Sequence, residues 1–255
     1  MVYNRNGRYE GDCLQVMDII PNQSVDIILA DLPFGTTRAR WDSIIDLPSL
    51  WKQYDRIIKP NGVILLFGQP PFDKVLGASN IKNLKYEWIW EKTHPTGHLN
   101  AKKMPMKAHE SVLVFYKKLP TYNPQKTYGH PRKVSSAKSK ITGKESELYN
   151  KHTKFTDYNS TERYPRSVLK FPSDKQKEAI HSTQKPIALL EYLIKTYSNE
   201  GDLILDNVSG SGSTGIAAYN LKRDCILIEK DPIIFSQMQE RLTKYQCFDI
   251  SSHSK

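Results

Sequence analysis

The chain has 255 residues, 38% hydrophobic and 25% charged, with 13 glycines, 15 prolines and a formal net charge of +10. This is enough to bury the core of one large domain or two modest ones, and it excludes wholesale disorder, a collagen repeat and a disulfide mini-scaffold. No apolar run approaches the ~20 residues of a membrane span.

In chain order, residues 1–6 lack the apolar region of a secretory signal, which sets the expectation of a soluble cytoplasmic protein. Residues 24–30 read as a buried strand ending at Asp31. Leu47, Leu50, Trp51, Tyr54, Ile57 and Ile58 have helical spacing, closed by Lys59-Pro60-Asn61-Gly62. Residues 63–67 read as a second buried strand, and 83–90 and 111–116 as two more. Near-continuous apolar strands joined by helices predict an α/β fold, a mostly parallel sheet with helices on both faces.

Residues 117–177 are different. They hold fifteen Lys or Arg against five Asp or Glu, a net +10 that equals the charge of the whole chain. A neutral body with one basic segment suggests a polyanionic partner. Tyr122, Tyr128, Tyr149, Phe155, Tyr158, Tyr164 and Phe171 are interleaved with these charges. A plain linker is poor in aromatics, whereas nucleic-acid bases need rings to stack on and phosphates need cations.

After this insert, Ser182 and Thr183 are candidate helix caps before Pro186, and Ile187, Leu190, Leu193, Ile194 and Tyr197 form an apolar stripe ending at Gly201. A short strand at 203–205 leads into Asp206-Asn207-Val208-Ser209-Gly210-Ser211-Gly212-Ser213-Thr214-Gly215 and a small-residue helix at 216–221. A strand at 225–228 ends at Glu229, and a last helix starts at Pro232. Cys13, Cys225 and Cys247 show no C-x-x-C spacing, and His94, His98 and His109 no metal-ligand spacing, so reduced thiols and no metal site are expected.

Gly210, Gly212 and Gly215 fit G-x-G-x-x-G between a strand and a helix, with Glu229 placed to reach a ribose hydroxyl pair. A tight structural turn would explain three glycines alone. The order strand, loop, helix, strand and acid points instead to a nucleotide-like ligand. Asp206 at the loop mouth would repel a pyrophosphate and attract a ligand carrying an ammonium and a sulfonium. S-adenosylmethionine is such a ligand, and the short stretch after Glu229 leaves too little chain for a dinucleotide fold. Gly11-Asp12 would add a third acid if both halves share one sheet.

Asp31-Leu32-Pro33-Phe34 follows a buried strand directly. Asp31 and the Leu32 carbonyl, held by Pro33, could accept both hydrogens of an exocyclic amine while Phe34 stacks on its base. The bland alternative is a capped strand-end turn.

The tetrad resembles the Asp-Pro-Pro-Tyr motif of DNA amino-methyltransferases. Residues 206–215 are similar to their cofactor loop, and His181-Ser182-Thr183-Gln184-Lys185-Pro186 to the segment before it. The order of tetrad, basic insert and glycine loop resembles the permuted β group of that family over about residues 8–245.

The resemblance implies a Rossmann-like methyltransferase domain built from 1–116 and 178–248, with 117–177 as an inserted target recognition region. It implies S-adenosylmethionine as methyl donor and DNA, through a flipped base, as substrate. Asp31, Leu32, Pro33 and Phe34 would be catalytic. Asp12, Asp31, Lys185, Asp206, Asn207, Gly210, Gly212, Thr214 and Glu229 would surround the cofactor. Lys126, Arg132, Lys133, Lys138, Lys140, Arg163 and Arg166 would face nucleic acid. An Asp opening the tetrad resembles adenine-N6 more than cytosine-N4 members. Leu32 in place of a proline, and Val208-Ser209 in place of a bulkier pair, depart from the family pattern.

The alternatives are a cytosine-N4 enzyme, a degenerate DNA-binding protein, and, on the glycines alone, an NAD-dependent oxidoreductase. The sequence leaves the recognition site, any companion nuclease and the oligomeric state open, although similar enzymes are often homodimers.

Overall fold

The computed structural model describes residues 1–35, 43–136, 157–173 and 184–252. The chain divides into two units, Met1–Asn123 with Ser167–Lys255, and Pro124–Arg166. The larger unit begins with β1 (Arg8–Glu10), α1 (Cys13–Val16), β2 (Val25–Ala30), α2 (Leu47–Ile57) and β3 (Ile58–Gly68). It continues with α3 (Phe72–Ser79), β4 (Leu84–Thr96) and β5 (Lys107–Phe115). The smaller unit contains β6 (Lys133–Ser135) and β7 (Tyr158–Ser160), an antiparallel pair. The larger unit then resumes with β8 (Val168–Phe171), α4 (Ile187–Tyr197), β9 (Leu203–Asp206), α5 (Ser213–Asn220), β10 (Asp224–Glu229) and α6 (Pro232–Ser252).

Eight strands form one sheet in the order β1-β10-β9-β2-β3-β5-β4-β8. The first five are mutually parallel. β5 runs antiparallel to β3 and β4, and β8 parallel to β4. In β2, Ile28 and Ala30 pack on one side with Leu50, Tyr54 and Ile57 of α2. Ile27 and Leu29 pack on the other with Leu193 and Ile194 of α4 and Ile216 of α5. Burial on both faces is why the strand is apolar at nearly every position rather than at every second one.

β9 passes through α5 to β10 on one side, whereas β2 passes through α2 to β3 on the other. The winding therefore reverses between β9 and β2, and a crevice opens beyond their carboxyl ends, where ligands bind in sheets of this kind.

Several elements differ from their sequence-based expectation. Lys59-Pro60-Asn61-Gly62 ends α2 but lies inside β3, because Val25 pairs with Ile58 while Ile27 pairs with Val63, so four residues bulge from the ladder. Lys59 Nζ pins this bulge to Asp26 at 2.7 Å. Residues 84–115 form a long antiparallel β4–β5 pair with no α-helix between the strands. α4 stops at Tyr197, before Gly201: Ser198 Oγ donates to the Ile194 carbonyl at 2.6 Å, and Asn123 Nδ2 donates to that of Ser198 at 3.0 Å. β8 lies within the stretch read as an insert, yet it pairs with β4 in the main sheet. In agreement with expectation, Trp88 and Trp90 are core residues, and Cys13 and Cys225 are buried free thiols. Among the described residues no helix is long and apolar enough to cross a membrane.

Candidate active site

The crevice at the winding reversal is a cavity of about 430 Å³. Its walls come from the carboxyl ends of five adjacent strands. Gly11 and Asp12 follow β1, Asp31 to Phe34 follow β2, and Phe67 is the last residue but one of β3. Asp206 ends β9 and Asn207 to Ser211 follow it, while Glu229 ends β10 and Lys230 to Pro232 follow it. Gln184 and Lys185 enter from the segment before α4. The tetrad and the glycine loop, about 175 residues apart in sequence, thus share one cavity.

The loop after β9 is braced from the next strand. Glu229 Oε2 accepts the Gly210 amide at 2.8 Å, and its Oε1 accepts the Asp231 amide at 2.9 Å. Gly210 has φ +51 with open space where a Cβ would project, so its backbone lies bare to the cavity. Gly212, with φ +76, is turned the other way, and a Cβ there would meet Met238 Cγ of α6 at 2.7 Å. Gly212 seats the loop on α6 and does not line the cavity. Thr214 does line it, as does Asn207, whose Oδ1 accepts the Tyr54 hydroxyl at 2.6 Å.

Acids dominate the walls. Asp206 is buried, and burial, reinforced by the Asp31 and Glu229 charges, pushes its carboxyl up to about 7 despite hydrogen bonds from Thr214 and the Val208 amide. Asp12 caps α1 through the Leu14 amide at 3.0 Å and meets Lys230 at 3.1 Å. Among the described residues the cavity's carboxylates outnumber its cations, which suits a positively charged ligand. Besides one atom of Asp31, two buried polar atoms of lining residues, Asn207 Nδ2 and Gln184 Oε1, make no hydrogen bond among the described residues.

Asp31 sits where the two halves meet. One oxygen is bound by the Lys185 ammonium, while the other, Oδ1, is buried without a hydrogen-bond partner among the described residues. Leu32 buries its side chain, Pro33 lines the wall, and Phe34 packs on Phe72 with ring centroids 5.3 Å apart. Lys185 therefore stands on Asp31 as well as in the cavity. Behind it, Glu110 approaches Lys185 at 3.3 Å and Lys92 at 2.6 Å.

Sequence reasoning missed Lys92 and Glu110. Gln69 and Phe72 belong to Gly68-Gln69-Pro70-Pro71-Phe72, which follows a strand and reads as a turn or, as the second choice, as part of the pocket floor. Lys92 and Glu110 lie on strands whose register no local pattern encodes.

In the smaller unit, Arg132, Lys133 and Arg166 are exposed, as are Tyr128 and Tyr164. Lys126 is ion-paired with Glu162 at 2.8 Å and lies over the Tyr164 ring at 5.0 Å. Arg163 is a structural clamp, donating to the carbonyls of Ser160, Glu162 and Pro131. Lys138 and Lys140 lie outside the described residues, as do Ser182 and Thr183.

Residues 25–240 match the N6/N4 family described as DNA methylase. Type II methyltransferase M.HinfI of Haemophilus influenzae is 28% identical, over 91% of this chain and 67% of that protein. Type II methyltransferase M1.MboII of Moraxella bovis is also 28% identical, over 87% of this chain and 90% of its own length. Among solved structures, the M1.HpyAVI–SAM complex superposes with a TM-score of 0.61 at 24% identity, covering 92% of this chain and 98% of that one. The cytosine-N4-specific PvuII DNA methyltransferase superposes at 0.67 and 16% identity, covering 96% and 92%. These likenesses at low identity concern the fold, a methyltransferase sheet flanked by helices.

Proposed function

The chain belongs to the N6/N4 DNA methylase family, and from that premise we propose that it methylates the N6 amine of an adenine taken out of the base stack of DNA. S-adenosylmethionine, the donor in this reading, supplies when bound an electrophilic methyl group whose bonding pair stays on sulfur. The acid-rich cavity suits its ammonium and sulfonium charges, Glu229 its ribose hydroxyls, and the bare Gly210 backbone a close approach. Val208 and Ser209, although smaller than the usual pair, still line that wall.

The observation that carries the proposal is Asp31 Oδ1, a buried acceptor that has no partner among the described residues and belongs to a residue lining the same cavity as the glycine loop. Asp31 accepts an amine N–H there and takes the proton that the nitrogen sheds as the new N–C bond forms. Accepting the amine hydrogens turns its lone pair toward the methyl carbon, and Phe34, backed by Phe72, offers a face to the base. Extruding the base costs a few kcal/mol, offset by stacking in the pocket and phosphate contacts from the smaller unit. The exposed Arg132, Lys133 and Arg166 with Tyr128 and Tyr164 support a DNA-contacting role for that unit.

The test is transfer of labelled methyl from S-adenosylmethionine to mixed-sequence DNA, followed by digestion to nucleosides. Label in N6-methyladenosine is the expected result. Label in N4-methylcytosine replaces the adenine reading, and no transfer overturns both. Asp31→Asn, which keeps the volume and an oxygen for Lys185, should lower the transfer rate at least 100-fold, on the order of a lost general base.

A further inference from the structure

Asp31 is the first member of a buried row of alternating charge. Lys185 holds Asp31, Glu110 faces Lys185 at 3.3 Å, and Lys92 binds Glu110 at 2.6 Å. Gln69 Nε2 donates to Glu110 Oε1 at 2.8 Å, and its own Oε1 accepts from Lys107 at 3.3 Å. The side chains of Lys92, Glu110 and Lys185 are each exposed by 10% or less, so water does not screen them. The fold builds the row from three distant places: the Glu110 and Lys92 strands are brought opposite by the pairing of Trp90 with Glu110, and Lys185 arrives just ahead of Pro186, the cap of α4.

We infer that Glu110 and Lys92 are positioning residues for methyl transfer, holding the Lys185 ammonium on one oxygen of Asp31 so that the other remains an acceptor for the target amine. The inference rests on the methyltransferase reading. A lone buried lysine against Asp31 would swing between acceptors or neutralise the base it touches. Glu110 gives that lysine a second anchor, and Lys92 balances Glu110, so the four groups carry no net charge. Burial raises the Asp31 carboxyl, Lys185 opposes the rise and Glu110 restores it. Burial works against the Glu110 charge as well, yet Lys185 and Lys92 hold its carboxyl below the usual range. Among the described residues, the charged groups facing Asp31 are Lys185, Glu110, Lys92 and, across the cavity, Asp206.

The experiment measures single-turnover transfer against pH, with saturating DNA and S-adenosylmethionine, for wild type, Glu110→Gln, Lys92→Met and the double variant. Melting temperature and cofactor affinity are recorded beside each. Glu110→Gln should move the acidic limb down by about one pH unit and lower the plateau about tenfold; Lys92→Met should move the limb up by about as much. A merely structural role would not give shifts of opposite sign. The double variant, which removes one charge of each sign, should return the limb to its wild-type position and keep a reduced plateau. If the single variants do not fold, the double variant carries the test. Limbs that stay in place or move together in variants that bind cofactor, or a double variant with the wild-type rate, overturn the inference. An inactive wild type overturns the methyltransferase reading itself, whereas an active wild type with unresponsive variants overturns only the roles of Glu110 and Lys92.

Discussion

Glu229 Oε2 accepts the amide hydrogen of Gly210 at 2.8 Å, tying the end of one strand to the loop that follows its neighbour. The same carboxylate accepts the Asp231 amide, so one side chain shapes both walls of the crevice and leaves lone pairs for a ligand's hydroxyls. Glu229→Gln keeps the size but cannot accept both amides with nitrogen at one terminus. It should weaken S-adenosylmethionine binding at least tenfold and cost about 1 kcal/mol of stability. Titration calorimetry and thermal melting read the two effects separately.

Asp206 gives the site a pH dependence whose sign is fixed by burial. Its carboxyl is pushed up to about 7, above its unfolded value, so the protonated form is favoured in the empty cavity. A cationic ligand favours the carboxylate, and below about pH 7 each binding event must displace a proton. Affinity should fall toward a limit of about tenfold per pH unit below that point and level off above it. For stability the sign is opposite. Asp206's contribution to the empty protein is fully present at low pH and is lost as pH rises from the ordinary carboxylate range through about 7. Asp206→Asn should bind S-adenosylmethionine weakly and without this pH dependence, which calorimetry at pH 6 and pH 8 would show.

The two central glycines of the loop separate by function. At Gly212 a methyl group would meet Met238 at 2.7 Å and strain a backbone at φ +76. Gly212→Ala should cost about 1–3 kcal/mol of stability, and refolded protein should bind cofactor with little change. At Gly210 the Cβ position is open but faces ligand, with φ +51. Gly210→Ala should cost about 1 kcal/mol in stability and lose cofactor affinity more than tenfold. Equal affinity losses in the two variants would contradict this division.

That division shows where sequence reading succeeds and stops. Residues 27–29 announce a strand buried on both faces, and such strands run parallel with their carboxyl ends together, so Asp31 and Asp206 were expected at one edge. The glycine pattern marked a loop at a strand end, but which glycine meets ligand and which meets a helix depends on where α6 returns, and nothing within the motif encodes that. Lys185 was legible as a site residue but not as the partner of Asp31, 154 positions away. The Lys92–Glu110 pair follows from the register of two long antiparallel strands, which alternation of apolar residues leaves free to slide by two. Basic residues were legible as a group, whereas the division between Arg163, which clamps a turn, and its exposed neighbours is a matter of hydrogen bonding.

Arg132, Lys133 and Arg166 are exposed, while Arg163 donates to three backbone carbonyls. A cation on a phosphate releases counterions, so its removal lowers the slope of log affinity against log salt by about 0.9 per contact. Alanine at each exposed position should therefore weaken DNA binding more at low than at high salt, and the triple variant should lower the slope by about 2.7 while S-adenosylmethionine affinity stays at the wild-type value. Arg163→Ala should act differently, loosening the turn around Ser160 and Glu162 and weakening binding with a less altered slope. Fluorescence anisotropy with one oligonucleotide from 50 to 300 mM salt distinguishes them. An unchanged slope in the triple variant would move the DNA contact elsewhere on the protein.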